Sequence, residues 1–587
     1  MSSFTLRNWH NNAGLLFLPA AVVLLILFFT PVFSLLGLSI FNKAGGLTTE
    51  HYDRLFAGGT YSRVLLNTVS TAGWTTLLSL VLGYPIAYTL ARAGNNVRNL
   101  MILAVVVPFW TSFLVRTLAW LVLLGRRGLI NRVLVDAGLA EEPLELLYNF
   151  NAVLVGLLHA KLPLAVLTMY ATMRGINENL PRAASTLGAR GVHSFWRIYF
   201  PLSFPGVAAA SLLVFVSSLG FFITPQLMGG RSEMMIAQLI ILEVEEMLNW
   251  SFAAAVAVLL LLVTGLLFWV FDQLIGMQAL TGQRHGGGQP IGKKAMALRK
   301  LGMYLVEVLS SALAMVAAAL ERIFGSAVVP KLGGSGRMLV VVALLAFLFV
   351  PTLFLIPISF TESNFLEWPP RGFSLRWYQS VLNSGLWQSA TLRSLYIGLA
   401  SATLAVLLGV PAAIYLVKTE SRLKPLYMLC LTMPLVIPNI IVALALFYAY
   451  AKIGLVGTSL GVILGHVVIT LPYAVISTMA VFKSYDTRLD QAAWTLGAGR
   501  FTTFRLVTAP MILPGIVTAF LFAFVKSFDE LTIALFITGG TYATLPKQIW
   551  AESLYLVTPA LAAVSSLLLV AVSAALLLSK WLGKAKG

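Results

Sequence analysis

Arg182-Ala183-Ala184-Ser185-Thr186-Leu187-Gly188, nine residues, then Ile198-Tyr199-Phe200-Pro201: this stretch returns 309 positions later as Gln491-Ala492-Ala493-Trp494-Thr495-Leu496-Gly497, nine residues, then Val507-Thr508-Ala509-Pro510. The recurrence decides the architecture, because it makes the chain two versions of one unit. The register holds on either side of the loop. Pro163 and Pro472, and Pro205-Gly206 and Pro514-Gly515, keep the 309 offset. Gly83 and Gly409, Pro85 and Pro411, Pro108 and Pro434, and Gly128 and Gly454 lie 326 apart. The first copy therefore carries 17 extra residues between about 131 and 156, in the acidic loop 133–149. Gly and Pro punctuate helices rather than fill them, so matches of this kind at two offsets are not chance.

Both copies read as membrane-embedded. The chain has 587 residues, 59% of them apolar and 11% charged, with a mean hydropathy of +0.88; soluble domains run at about 45–50% and about 25%. Apolar runs fall at roughly 14–40, 64–91, 99–124, 150–173, 202–226 and 250–276, and again at roughly 338–360, 391–418, 425–452, 459–482, 511–535 and 557–580. Each is long enough for a bilayer core of about 30 Å, and none alternates as a barrel strand would. The expected fold is all-α: about 12 transmembrane helices in two parallel six-helix repeats, residues 1–276 and 338–587, joined by a basic linker at 277–337. The first run is too long for a signal-peptide core and reads as a retained span.

The net charge is +18. In a soluble chain that would point to nucleic acid. Here the bases cluster in alternate short loops: Arg92 and Arg98; Arg174, Arg182, Arg190 and Arg197; Lys418, Arg422 and Lys424; Lys483, Arg488, Arg500 and Arg505. Most acids, Glu141, Glu145, Glu243, Glu245, Glu362 and Glu367 among them, fall in the other set. This is the positive-inside pattern of an inner membrane and predicts cytoplasmic N- and C-termini. Within the linker, which is expected to be cytoplasmic, 299–325 is expected to be a helix lying at the interface, its basic end on anionic lipid, or against a partner, since a crossing there would invert the second copy. The lone Cys430 excludes an intrachain disulfide, and the six His residues form no ligand-spaced pair, so no metal site is expected. Gly287 to Lys294 has phosphate-loop spacing, but Lys294 stands where Ser or Thr must hold Mg²⁺ and no strand precedes it. The reading is of a transport component with no catalytic residues and no cofactor of its own.

The recurring loop has a legible mechanics. Paired alanines keep a short helix narrow enough to enter a partner's groove. Gly188 and Gly497 permit a turn into a second short helix. Pro201 and Pro510 start the next span, where a missing N–H costs little. Such a helix can pass a partner's motion to the spans as rigid-body tilt.

The spacing resembles the EAA loop of bacterial ABC importer permeases: E-A-A, three residues, G, nine residues, I-x-L-P. The family's leading glutamate is Arg182 in one copy and Gln491 in the other, which puts in question an ion pair that it would make with the ATPase. Val107-Pro-Phe-Trp-Thr-Ser-Phe-Leu-Val-Arg-Thr-Leu-Ala-Trp120 with Gly128-Leu-Ile-Asn131 is similar to the first permease of spermidine/putrescine-type importers. Ser527-Phe-Asp-Glu530 and Thr544-Leu-Pro-Lys547 are similar to the second. The resemblance implies a type I importer fold, two copies of a separate ATPase subunit carrying ATP and Mg²⁺, and a periplasmic substrate-binding protein. It implies a small polar solute, a polyamine or a related amine or amino-acid derivative.

Charged residues inside spans usually face a cavity. Asp529 and Glu530, with Lys526 and Arg116, are candidate pathway residues; Lys161 and Arg393 are weaker ones. The carboxylates either attract a cationic solute at an outer gate or brace the helix through Lys526, three and four residues before them. The first copy has Gly220-Phe221 in their place, so an asymmetric pathway is expected. Two other classes fit twelve spans: an ion-coupled carrier using Asp529 and Glu530, and a passive channel. Neither has need of a duplicated coupling loop.

Overall fold

A computed structural model describes residues 4–41, 45–177, 179–186, 194–274, 335–540, 542–555 and 557–584, and within the linker 300, 302, 304, 306–308, 310–312 and 314–315. The described residues of the linker are helical; the rest of the 299–325 segment, and Gly287 to Lys294, lie outside the described residues. Among the described residues the secondary structure is helical, apart from one isolated bridge between Phe41 and Leu47.

The repeat read from Gly and Pro holds element by element. Helices Gly59–Arg92 and Gly385–Lys418 both have 34 residues and start 326 apart. Helices Asn179–Thr186 and Arg488–Thr495, Phe200–Leu219 and Ala509–Phe528, and Ile223–Met228 and Thr532–Ile537 are pairs of equal length 309 apart. Nine helices among the described residues are long and apolar enough to cross a membrane. Two runs expected as single spans, 99–124 and 425–452, are each broken. Asn95–Trp110 meets the following helical segment at 95°, and Lys424–Val436 meets Asn439–Lys452 at 93°. The breaks fall at equivalent positions. At one, Pro438 forces Ile437 out of the helical region, to φ −75 and ψ 129. At the other, Ser112 caps the new helix by accepting from Leu114 N–H.

The chain forms two compact units, neither of them a continuous segment. One comprises 1–57, 240–258 and 379–555; the other comprises 58–239, 259–378 and 556–587. In the first, Gly385–Lys418, Ser459–Ser484 and Ala509–Phe528 pack on one another, helix Phe4–Leu24 lies on Gly385–Lys418, and Thr30–Leu38 lies on Asn439–Lys452. In the second, Gly59–Arg92, Phe150–Met173 and Phe200–Leu219 form the same trio. Ser335–Ser359 packs there on Asn95–Trp110, with the last helix, Pro559–Lys584, against it.

Close helix approach explains two of the repeated glycine pairs. A Cβ at Gly83 or Gly409 would meet Met169 or Ala474 at 3.0 Å. One at Gly206 would meet Thr172 at 2.7 Å, and one at Gly515 would meet Val481 at 2.3 Å. Small residues at such crossings let backbones pack where lipid offers helices no hydrophobic drive to associate. Leu66, Leu100, Leu339, Leu392 and Leu407 are exposed along the spans, as hydrocarbon-facing surface requires.

Candidate functional site

The recurring loop of the second copy is described throughout. Helix Arg488–Thr495 carries Gln491, Ala492 and Ala493, with Gln491 and Ala492 exposed. Gly497 takes φ +84. Its N–H bonds to Trp494 C=O at 3.0 Å, and Ala498 N–H bonds to Ala493 C=O at 3.0 Å. Together these close the helix with a left-handed cap that a side chain at 497 would strain. The apolar tip beyond it, Trp494 and Leu496, is exposed, Leu496 to 87%.

The chain then enters the span through a π turn, Phe504–Thr508, closed by Ala509 N–H to Phe504 C=O. Pro510 follows directly. The first copy does the same with Phe195–Tyr199, closed by Phe200 N–H, ahead of Pro201; so does Leu25–Phe29, closed by Thr30 N–H, ahead of Pro31. A proline has no N–H for the carbonyl four residues back, and each of these helices widens by one residue just before it.

One residue ahead of the motif, Asp490 is 5% exposed and anchors the loop. Its Oδ1 accepts from Tyr485 Oη at 2.6 Å and from Thr508 Oγ1 at 2.8 Å, and its Oδ2 lies 4.0 Å from Lys418 Nζ. The carboxylate thus ties the short helix to three places: the end of Gly385–Lys418, the residue after Ser459–Ser484, and the π turn leading to Ala509–Phe528. Burial, and then the bond to Asp490, push the Tyr485 hydroxyl up from its ordinary range, so it stays a donor.

In the first copy, Arg182 and Ala183 are exposed and Ala184 is half-buried on helix Asn179–Thr186. Gly188 lies outside the described residues. Pro201 is the second residue of Phe200–Leu219. Pro181 stands where the second copy has Asp490, Arg92 where it has Lys418 and Tyr199 where it has Thr508. The joint is correspondingly different: Arg92 stacks on Tyr88 and Tyr199, 4.4 and 4.6 Å from the ring centres, and donates to Tyr88 Oη. The two loops share a backbone and differ in what ties them down. Sequence reasoning weighed Arg182 and Gln491 as stand-ins for a family glutamate and passed over Asp490. The available signal was an acid in the first turn of a short helix within a basic loop.

The pathway candidates fall at three places. Helix Ala509–Phe528 ends before the acids, with Asp529 as its C-cap. Glu530, 2% exposed, takes Lys526 Nζ at 2.6 Å and accepts on Oε1 from the N–H groups of Thr532 and Ile533, at 3.0 and 3.3 Å. It both pairs with Lys526 and caps the next helix, Thr532–Ile537. Buried His466 bonds Ser527 through Nδ1 at 2.7 Å beside them. Arg116 belongs to the other unit. It is 1% exposed, donates to Ala160 C=O at 3.2 Å and lies over Phe113 at 4.4 Å. Lys161 donates to Ser217 C=O at 3.1 Å and lies 4.5 Å from the ring centre of Phe221, the residue equivalent to Glu530. Arg393 donates to Ala543 C=O at 2.8 Å, over the Tyr542 ring. Among the described residues no group of three His, Cys, Asp or Glu side chains could hold a metal ion.

Residues 79–275 and 405–585 each match the family described as binding-protein-dependent transport system inner membrane component. The spermidine/putrescine transport system permease protein PotB of Escherichia coli (strain K12) is 34% identical over 254 residues, 42% of this chain and 92% of that protein. PotC of the same strain, a permease protein of that transport system, is 30% identical over 229 residues, 39% of this chain and 86% of that protein. A solved structure of a bacterial alginate ABC transporter, in complex with a pentasaccharide-bound periplasmic protein, aligns with 47% of this chain and 96% of its own at 18% identity and a TM-score of 0.40. The chain belongs to the binding-protein-dependent transport system inner membrane components, as a multi-pass protein carrying two copies of the permease unit in one polypeptide.

Proposed function

We propose that this chain is the membrane conduit of an ATP-driven importer for a small organic amine of the polyamine kind. ATP hydrolysis occurs on two copies of a separate ATPase subunit, one seated on each recurring loop, and a periplasmic binding protein delivers the solute. The N- and C-termini are cytoplasmic, and the bases of the recurring loops then face the ATPases. The observation that carries the reading is the short helix Arg488–Thr495: a narrow, exposed Gln491-Ala492 face, an exposed apolar tip and a buried tie to three spans suit a lever better than a passive loop. The polyamine class rests on PotB and PotC, each similar to this chain over most of its own length.

ATPase closure would push on both loops. In the second copy the push enters the spans through Asp490; in the first it enters through the Arg92–Tyr199 stack.

The test is reconstitution. The tagged chain is expected to bring down an ATPase, and proteoliposomes holding both, with the binding protein outside, are expected to take up labelled putrescine or spermidine only with ATP inside. Uptake driven by a pH gradient without ATP, or no ATPase in the purified complex, would overturn it.

A further inference from the structure

Each copy carries an eight-residue helix between its first two spans, Glu50–Ala57 in the first and Arg376–Asn383 in the second, 326 positions apart. A tyrosine ties each to the end of the span before it. Tyr52 Oη donates to Ser39 Oγ at 2.8 Å, and Tyr378 Oη and Ser359 Oγ share a hydrogen bond of 2.5 Å. Ser39 caps helix Thr30–Leu38, and Ser359 ends Ser335–Ser359. The tie spans 13 positions in the first copy and 19 in the second, so it is kept across loops of different length. At the other end a single extended residue, Gly58 or Ser384, separates each helix from a 34-residue span. A helix held between two spans in this way stays at the bilayer surface.

Tyr52, Leu55 and Phe56 form an i, i+3, i+4 stripe, and Tyr378, Val381 and Leu382 repeat it. The protein covers only part of each stripe. Leu55 and Val381 are buried, whereas Phe56 and Leu382 are exposed. Just ahead of each helix, Leu47 is 77% exposed and Phe373, its equivalent, 78%. The polar positions do not match: Glu50, Asp53 and Arg54 in one copy are Arg376, Gln379 and Ser380 in the other. The copies therefore share uncovered apolar surface at the same places and do not share charge. A protein partner reading both helices by charge would meet opposite signs at 50 and 376. A bilayer makes one demand on both: an apolar edge turned to the acyl chains, with either sign tolerated among the headgroups. The surface is also continuous along the chain with lipid-facing surface, since Leu66 and Leu392, equivalent positions in the following spans, are exposed as well.

We propose that Glu50–Ala57 and Arg376–Asn383 are interfacial helices whose partner is phospholipid. Leu47 and Phe56 in one copy, and Phe373 and Leu382 in the other, reach about 5–10 Å into the boundary between headgroups and acyl chains. With each broken run counted as one crossing, three crossings separate each helix from the recurring loop of its copy, so both rest on the leaflet away from those loops. Each then pins one end of a 34-residue span. In the second copy the opposite end of that span carries Lys418, beside Asp490 of the coupling helix.

The test uses the native full-length chain in nanodiscs that contain a phospholipid with a diazirine in its acyl chain. After irradiation, lipid adducts are mapped by digestion and mass spectrometry. Adducts are expected at Leu47, Phe56, Phe373 and Leu382, as at Leu66 and Leu392, with none above background at Asp53 or Gln379. Labelling of Leu66 and Leu392 without Phe56 and Leu382 overturns the proposal, and so does equal labelling of Asp53 and Gln379. A nitroxide gives an independent measure. It is placed by Phe56→Cys or Leu382→Cys in a Cys430→Ser chain, which removes the single native cysteine. Collisions with oxygen should exceed those with a water-soluble nickel chelate there, and the order should reverse for Asp53→Cys and Gln379→Cys. A chelate-dominated signal at 56 and 382 overturns the proposal. Finally, the periplasmic binding protein is added to the diazirine nanodiscs. Adducts at Phe56 and Leu382 should persist; their loss would make these side chains protein contacts and overturn the lipid assignment.

Discussion

Replacing Asp490 by Ala should loosen the second coupling helix without unfolding the chain. The native carboxylate accepts two hydroxyl bonds, at 2.6 Å from Tyr485 and 2.8 Å from Thr508, and faces Lys418 at 4.0 Å. Bonds to a charged acceptor contribute about 1.5–3 kcal/mol each. Tyr485 is half-buried, so water recovers part of its loss, and the Lys418 contact adds less than about 1 kcal/mol. The net cost is about 3 kcal/mol, roughly a hundredfold in the equilibrium for local opening. Amide hydrogen exchange across 488–495 reads this directly and should speed up by about that factor, while exchange in Ser459–Ser484 stays unchanged. Asp490→Asn keeps one acceptor oxygen and the shape, so about tenfold is expected. Thr508→Val removes a single bond and should also cost about tenfold, and combined with Asp490→Ala it should add little more, because both remove the same contact. In the reconstituted complex, ATP hydrolysed per solute should rise as the lever slackens. Exchange at 488–495 within about threefold of native in Asp490→Ala, or full additivity with Thr508→Val, would refute the argument.

Three further outcomes follow from the geometry. Glu530→Gln leaves half-buried Lys526 without its paired carboxylate and should cost about 2–4 kcal/mol; the thermal midpoint of the purified chain should fall and be largely restored by adding Lys526→Met, because Gln keeps an acceptor for Thr532 and Ile533 N–H. Gly497→Ala puts a Cβ on φ +84 and should cost about 1–2 kcal/mol, read as lower ATPase retention at unchanged yield of the chain. Gly515→Ala meets Val481 at 2.3 Å and should lower the thermal midpoint by the equivalent of about 1–3 kcal/mol; Gly265→Ala, with nothing within 4 Å, should leave it unchanged or raise it.

What the sequence determines here is what depends on neighbours along the chain. Proline and glycine act on their own backbone, so their spacing carried the repeat, and the element bounds of both copies agree with it: Asn179–Thr186 with Arg488–Thr495, Phe200–Leu219 with Ala509–Phe528. The Lys526–Glu530 pair was legible for the same reason, since an i, i+4 spacing at the end of a helix can bring two side chains together. The left-handed cap at Gly497 is equally local.

Only the tertiary structure decided the rest. Asp490 meets Thr508 18 positions away and Lys418 on a different helix, and no local pattern announces either contact. A cleft lined by Glu245 and Lys547 takes its walls from Trp250, Phe447 and Phe536, which periodicity treats as ordinary apolar positions. Helix Phe4–Leu24 packs on Gly385–Lys418, and Ser335–Ser359 on Asn95–Trp110. These spans are mostly apolar, and lipid is as apolar as a neighbouring helix, so hydropathy marks a span without choosing its partner. Shape complementarity makes that choice, through close approaches such as Gly515 on Val481, and it exists only once the helices are assembled.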